Sequence, residues 1–357
     1  FAGASSLLFW FRSHRLSGRP AVGCPLTKRI SDSLSAAGVS TGDRLLVGFS
    51  GGRDSVALVS LLQKAGYANL KLLHLDHGLR PESGLDSEWC RAFGFERGLE
   101  VVVERCELGS ATAGSGAGLE EAGRAARYAF FARNAAHSGI HRVVLGHHAD
   151  DQVETFLFRL LRGSGSLGLG GMAPASDRQE GTVTLRLLRP MLGVWRKELD
   201  AWIAEAGLSF REDSSNADPR WTRNRIRHQL LPEMERVMRR PVKTALWRTA
   251  EILRAEAEWL RQQEEDDALD GTLDVRTLRK MATAQRRIRI TRWLSLQGVA
   301  RVGFELVEAV DRLAFERFPS KVNLPGNRRA KRFRGRIFIE SPSDESMAEN
   351  PRDRITP

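Results

Sequence analysis

Residues 45–62 read Leu45-Leu46-Val47-Gly48-Phe49-Ser50-Gly51-Gly52-Arg53-Asp54-Ser55-Val56-Ala57-Leu58-Val59-Ser60-Leu61-Leu62. A short uncharged apolar run meets Ser-Gly-Gly and passes directly into a second apolar run of helical length, so a buried strand turns straight into a buried helix. Two adjacent glycines permit the tight turn and let backbone N–H groups face a ligand, and the helix N-terminus behind them carries about half a positive charge. Such a turn suits phosphate. Ser50 and Ser55 add hydroxyl donors, and Asp54 is placed to hold a magnesium ion that carries the phosphates. The plainer alternative is a glycine-rich turn with a capping serine. No GxxxxGK[ST] occurs in the chain, which disfavours an NTPase that cleaves the γ-phosphate.

Outward from this stretch the alternation repeats. Leu70–Leu75, Val101–Val103 and Val143–Leu145 read as further buried strands, with helices predicted over Ser55–Ala65, Asp86–Gly98 and Leu119–Ala136. Continuous apolar strands alternating with helices indicate an α/β fold, a parallel sheet covered on both faces. Ligands of such sheets bind beyond the carboxyl ends of the strands, so chemistry is expected just after each run. After Asp218 the strand pattern fades. Arg, Glu, Leu and Ala at helical spacing, for example Ala245, Ala250, Leu253, Ala257 and Leu260, predict a helical second domain. The expected organisation is a disordered N-terminal extension over 1–40, an α/β domain carrying the phosphate loop over 41–218, a helical second domain over 219–317 and a short basic segment and tail over 318–357. The extension is set apart because residues 1–31 contain no Asp or Glu and look like a targeting segment, and because the first Met is Met172.

The chain of 357 residues is 41% hydrophobic and 28% charged, enough for about two domains with real cores. No uncharged apolar run reaches the roughly 18 residues of a spanning helix, so no membrane partner is expected. Cys24, Cys90 and Cys106 are odd in number and form no CxxC pair, which argues against a disulfide framework or a zinc or iron–sulfur site and for a reducing, cytoplasmic location.

A second strand-to-helix junction is Val143-Val144-Leu145-Gly146-His147-His148-Ala149-Asp150-Asp151-Gln152-Val153-Glu154-Thr155. Val153, Phe156, Leu157, Leu160 and Leu161 form the expected apolar stripe of its helix. Asp151 and Glu154, three apart, share a face near the N-terminus, where carboxylates either complement the helix dipole or hold a cation. His74-Leu75-Asp76-His77-Gly78-Leu79-Arg80 follows another strand at the same sheet edge. His74, His77, His147, His148, Asp150 and Asp151 can be read as a two-metal hydrolase cluster. The phosphate loop with magnesium, which needs no histidine, accounts for the site more simply. Gly163-Ser164-Gly165-Ser166-Leu167-Gly168 satisfies GxGxxG but follows a helix, so a flexible loop is expected there and no dinucleotide site.

Ser50–Ser55 match, residue for residue, the SGGxDS loop of the N-type ATP pyrophosphatases, a family this stretch resembles. Further stretches extend the likeness: Glu120 to Tyr128 with Arg124 and Arg127, Arg189-Pro190-Met191-Leu192 with Lys197-Glu198-Leu199, and Arg211-Glu212-Asp213-Ser214-Ser215-Asn216 leading to Arg223-Asn224-Arg225-Ile226-Arg227. Together with the two histidine stretches, these ordered motifs from Asp43 to Glu235 resemble the tRNA(Ile)-lysidine synthetases. The resemblance implies a five-stranded, doubly wound parallel sheet followed by a helical substrate-binding domain. It implies ATP and Mg²⁺ as cofactors, and L-lysine and a tRNA(Ile) with a CAU anticodon as partners. The implied reaction adenylates C2 of the wobble cytidine and then replaces AMP with the lysine ε-amine, which changes codon reading from AUG to AUA.

By the same resemblance Asp54, Asp151, Glu154 and Arg227 are catalytic, with Asp54 the tentative magnesium ligand. Ser50, Gly51, Gly52, Arg53, Asp54, Ser55, His74 and His147 are expected at ATP, and Arg124, Arg127, Arg223, Asn224 and Arg225 at tRNA. For Arg124 a surface ion pair is the plainer reading. Gly123 departs from the Ala usual in the family, and the third domain of longer members is expected to be missing or reduced. Alternatives are a tRNA thiolase of the same fold and a catalytically silent tRNA-binding protein; a homodimer is left open.

Net charge is +11, and arginine supplies 47 of the 55 basic residues. A GC-rich genome explains such a skew as well as RNA binding does. The excess falls in two blocks: ten basic against three acidic residues over Arg220–Arg254, and an acid-free stretch over Lys321–Ile339. Both are expected to meet a phosphate backbone, which makes RNA binding salt-sensitive.

Overall fold

The computed structural model describes residues 24–78, 83–106, 116–211, 221–263, 271–300, 302–316 and 320–340. Among them a six-stranded sheet holds β1 (Leu45–Gly48), β2 (Leu70–Asp76), β3 (Glu100–Arg105), β4 (Arg142–Val144), β5 (Ala175–Glu180) and β6 (Val183–Leu188) in the order β3-β2-β1-β4-β6-β5. The first five of that order run parallel, as expected. β5 adds an antiparallel edge to β6 through a tight turn in which Gly181 takes φ +59°, and its polar sequence suits an edge strand.

Helices α1 (Pro25–Ala36), α2 (Arg53–Lys64), α3 (Ser83–Glu96), α4 (Gly116–Ser138), α5 (Ala149–Leu160), the single turn α6 (Ser166–Leu169) and α7 (Arg196–Glu205) complete this half of the chain. Two apolar clusters flank the sheet. One joins Leu45, Val47 and Leu72 to Val56, Leu58 and Val59 of α2, and the other joins Leu46, Leu73 and Val143 to Phe130 and Phe131 of α4. α2 is buried nearly all round, which explains its near-continuous apolar sequence. Chain connections run from β1 outward to β3, then return to the other side of β1 at β4. This reversal opens a crevice beyond the carboxyl ends of β1 and β4, the place where doubly wound sheets bind ligands.

The expected disordered extension over 1–40 is corrected by α1: Ile30 and Leu34, one turn apart, are buried in the first cluster. Four residues suffice for a helical stripe, and the surrounding Ser and Arg had concealed it. Residues 1–23 lie outside the described residues.

Contacts divide the chain into two units, Phe1–Gln152 with Ala173–Leu230 and Val153–Met172 with Leu231–Pro357. In the second unit Val153, Phe156 and Leu157 are buried, whereas Leu160 and Leu161 of the expected stripe are exposed. The glycine-rich segment after α5 is packed rather than flexible. The Arg159 guanidinium donates to the carbonyls of Gly168 and Gly171 at 2.7 Å each, and a Cβ on Gly170 would lie 2.8 Å from Arg254 Cα.

The expected helices are present as α8 (Thr222–Arg225), which leads into a π-helical turn over Ile226–Leu230 in the first unit, and as α9 (Leu231–Met238), α10 (Lys243–Gln263), α11 (Val275–Lys280), α12 (Thr283–Leu296) and α13 (Phe304–Phe315) in the second. A second sheet was not expected. β7 (Thr272–Asp274), β8 (Lys321–Leu324), β9 (Arg328–Phe333) and β10 (Arg336–Glu340) pair antiparallel in the order β7-β10-β9-β8. Leu273, Leu324, Ala330 and Ile337 share one core with Ile290, Trp293 and Leu294, so the basic segment is integral to this unit. Its charge is partly structural. Arg328 donates to the Gln297 carbonyl at 2.7 Å and Arg332 to the Leu313 carbonyl at 3.1 Å.

Candidate active site

Beyond β1 the chain turns through Ser50, Gly51 and Gly52 into α2. Gly51 takes φ +76°, a left-handed conformation that costs an L-residue about 1–2 kcal/mol, and a Cβ there would lie 3.0 Å from Cys90 Sγ and 3.3 Å from Trp89. The loop holds its own shape. The Ser55 hydroxyl donates to the Gly52 carbonyl at 2.8 Å and accepts the Ser50 N–H at 3.3 Å. From outside the loop, the Arg211 N–H donates to the Gly51 carbonyl at 2.9 Å while its guanidinium grips Asp86 at 2.7 Å. The first-turn amides of α2 thus converge above a rigid turn, as an anion cradle requires.

Rigidity at Gly51 has a measurable consequence. Gly51→Ala is expected to weaken binding of a non-hydrolysable ATP analogue by about tenfold, near the 1–2 kcal/mol of strain, with the circular-dichroism spectrum unchanged. Calorimetric titration reads this directly; an unaltered Kd would show that the loop does not set the affinity.

β4 exits beside this loop. A Cβ on Gly146 would come within 3.3 Å of the Asp54 carbonyl, so the two strand ends lie in close contact. Asp54, in the first turn of α2, has one carboxylate oxygen, Oδ2, 2.9 Å from Arg196 and 3.6 Å from His148 Nε2. The other oxygen, Oδ1, is buried with no hydrogen-bond partner. Burial acts to raise the Asp54 pKa, but His148 and Arg196 outweigh it and hold the group below the usual carboxylate range. A hard, ionised oxygen beside a phosphate cradle fits a magnesium ion that completes its shell with phosphate and water.

Asp151, in the first turn of α5, accepts the His148 backbone N–H at 2.9 Å through Oδ2 and lies 3.5 Å from the Arg227 guanidinium through Oδ1. His148 is fully buried; burial, the largest single effect, acts to lower its pKa, but Asp151 and Asp54 together outweigh it and raise the pKa above the ordinary imidazole value. His147 behaves oppositely. Desolvation depresses it to about 3, with Arg189, Arg223 and Arg127 adding to the shift and Asp151 opposing it, so it is neutral at physiological pH.

Of the expected catalytic residues, Asp54, Asp151 and Arg227 are brought together. Glu154 stands one turn further along α5, 2% exposed, and falls in the second unit. His74 lies beneath the loop, its Nδ1 3.0 Å from the Phe49 carbonyl and 3.4 Å from Cys90 Sγ, and burial lowers its pKa. Arg53 turns aside to Asp200 at 2.9 Å and to the face of Phe210. Arg127 and Arg223 act on His147, while exposed Arg124 stacks over Tyr128 at 5.2 Å. Arg225 is exposed and donates to the Thr222 hydroxyl at 3.2 Å, and Asn224 is half-buried beside it. Residues 212–220, with Asp213 to Asn216, lie outside the described residues.

Two groups of this site carry no local signal for this chemistry: in sequence His148 reads as a metal ligand, and Arg196 precedes Lys197-Glu198 with nothing nearby to single it out. Among the described residues no three His, Cys, Asp or Glu side chains converge as a metal site, so the two-metal cluster is not assembled. His148 instead faces carboxylates and His74 a carbonyl.

The PP-loop domain family matches residues 26–234. Over 80% of this chain and 62% of its own length, the tRNA(Ile)-lysidine synthase of Geobacter sulfurreducens is 38% identical. Those of Streptomyces coelicolor (38% identical, 85% of this chain, 87% of the relative) and Thermobifida fusca (36%, 84% and 92%) match over most of both chains. The chain thus spans about three fifths of the length of some relatives and nearly all of others. Among solved structures, a U34-tRNA thiolase from Methanococcus maripaludis superposes with a TM-score of 0.51 at 14% identity, covering 67% of this chain and 78% of the other; this likeness is one of fold.

Proposed function

The chain belongs to the tRNA(Ile)-lysidine synthase family, built on a PP-loop domain, and from that membership we propose that it ligates lysine to C2 of the wobble cytidine of a tRNA(Ile) with a CAU anticodon. One observation carries the reading: the phosphate loop and a carboxylate on α5 meet in one crevice, with Asp54 and Asp151 each 3.6 Å from His148. Phosphate recognition and ammonium recognition are therefore adjacent, as a reaction that joins an activated nucleotide to an amine requires.

The cytidine O2 attacks the α-phosphorus of ATP and pyrophosphate leaves; the lysine ε-amine then attacks C2, AMP departs with O2, and the amine loses a proton. Loop amides of Ser50 to Ser55 receive the pyrophosphate charge. Magnesium, held through Asp54, would supply further charge neutralisation. Free lysine has a pKa near 10.4, so Asp151 and Glu154 bind the ammonium, and one of them takes the proton that must leave before attack. Arg227, 3.5 Å from Asp151, neutralises the negative charge of the AMP phosphate as it departs. Neutral His147 contributes hydrogen bonds without repelling ammonium or arginine. Arg124, Arg127, Arg223, Asn224 and Arg225 take the RNA.

A thiolase reading finds no chemical support at Cys90, whose buried thiol is pushed up to about 12 and is not a nucleophile at neutral pH.

Formation of AMP that depends jointly on tRNA and lysine tests the ligase reading; AMP formed without either would sink it. The RNA component carries its own expectation. With about six phosphate contacts, affinity for tRNA(Ile) should fall about 10³-fold between 50 and 200 mM salt. Filter binding measures it, and a flat salt response would remove the arginines from the interface.

A further inference from the structure

His148 is not explained by phosphate binding or by lysine binding alone. Its imidazole is fully buried at the junction of β4 and α5. Nε2 lies at the same distance, 3.6 Å, from Asp54 Oδ2 and from Asp151 Oδ2, and Nδ1 lies 3.8 Å from Asp150 Oδ2. These separations exceed a hydrogen bond, and both ring nitrogens are buried with no hydrogen-bond partner. Beyond the two carboxylates stand two guanidiniums, Arg196 at 2.9 Å from Asp54 and Arg227 at 3.5 Å from Asp151. Arg196 also donates its backbone N–H to Asp150 at 3.0 Å. Arg196, Asp54, His148, Asp151 and Arg227 therefore form a chain of neighbours in which basic and acidic side chains alternate, running from the phosphate loop to the carboxylate helix.

We propose that His148 is the positioning residue that ties the phosphate loop to the lysine-holding helix, by presenting a single Nε2–H to the carboxylates of both. One donor equidistant from two acceptors can close on only one of them at a time, and a shift of under about 1 Å completes either bond. When Asp54 is engaged by the phosphates, the donor closes on Asp151 Oδ2 and leaves Oδ1 aimed at the ammonium. The same imidazole stands between the two half-buried carboxylates. Without it, Asp54 retains Arg196, so phosphate binding persists. Asp151 keeps the backbone N–H of residue 148 and Arg227 but loses the partner that links its orientation to the loop.

The inference rests on the ligase reading, and its test separates the two. Gln at position 148 places an amide N–H near the site of Nε2, whereas Asn places one near Nδ1; both are polar and uncharged, and position 148 precedes the helix, which begins at Ala149. H148Q, H148N and the wild-type protein are compared for lysine transfer to tRNA(Ile), for binding of a non-hydrolysable ATP analogue with Mg²⁺, and for thermal unfolding. H148N is expected to lower kcat for transfer about 10–100-fold and to raise the KM for lysine about tenfold, with analogue Kd within threefold of wild type. H148Q is expected to recover kcat to within about fivefold. Equal impairment of the two variants, or wild-type transfer by H148N, overturns the positioning role. A loss in H148N that follows only a lowered unfolding midpoint, with kcat and lysine KM unchanged in the folded fraction, also overturns it. A wild-type protein that binds the analogue but transfers no lysine fails the ligase reading itself, and the inference with it.

Discussion

Replacing Asp54 by Asn is expected to lower lysine transfer about 10³-fold while leaving the protein folded. The substitution keeps the shape of the side chain and removes its charge. At neutral pH that charge is present, because His148 and Arg196 hold the pKa below the ordinary carboxylate value against the effect of burial. Oδ1, buried and without a hydrogen-bond partner, is the oxygen available to a magnesium ion on the phosphates, and Oδ2 anchors Arg196 at 2.9 Å. An amide is a far poorer ligand for a hard cation and leaves Arg196 facing an uncharged group. Loss of one preorganised charge at the site where transition-state charge develops costs about 3–4 kcal/mol, hence the size of the effect. Single-turnover transfer of labelled lysine measures it, with thermal unfolding as the control. Activity within tenfold of wild type would remove Asp54 from the phosphate chemistry.

The second large effect is expected at the amine. Asp151→Asn should raise the KM for lysine about 10–100-fold, because one charge-assisted hydrogen bond to an ammonium contributes about 1.5–3 kcal/mol. Its geometry sharpens the expectation. Asn Oδ1 must still accept the His148 N–H, now at 2.9 Å from the Asp151 carboxylate, which turns the amide NH₂ toward Arg227 and toward the incoming ammonium. Glu154→Gln, one helical turn on, is expected to act in the same direction. Neither substitution should weaken the ATP analogue by more than threefold, since the phosphate loop is untouched. Steady-state kinetics with lysine varied at saturating ATP and tRNA distinguishes the two substrates. A rise confined to the KM for ATP would reassign Asp151 to the nucleotide.

The phosphate loop was legible because its requirement is local: two glycines between an apolar strand and an apolar helix have few other uses. The parallel order of the sheet followed from apolar runs that alternate with helices. Partnerships across the chain were not legible. Asp54 and Arg196 are far apart in sequence, and their meeting depends on β4 returning beside β1, which no periodicity encodes. His148 stood in view as one of two adjacent histidines, yet only burial and neighbours separate it from His147, one cationic in tendency and the other neutral. The second sheet was hidden by arginines. In β9, Arg328 and Arg332 reach backbone carbonyls of neighbouring helices, so the alternation of Arg328-Arg329-Ala330-Lys331-Arg332 reads as a charge cluster although Ala330 is fully buried. At α1, acid-poor surroundings masked a two-residue stripe.

Among the described residues no helix is long and apolar enough to cross a membrane. The most direct test of the account is to supply the protein with ATP, Mg²⁺ and radiolabelled lysine and to count label on two transcripts, a tRNA(Ile) with a CAU anticodon and the same tRNA with its wobble cytidine replaced by uridine. The account predicts label on the first transcript alone, in step with AMP released and abolished in D54N. Label on both transcripts, or none on either while the ATP analogue still binds, would contradict it.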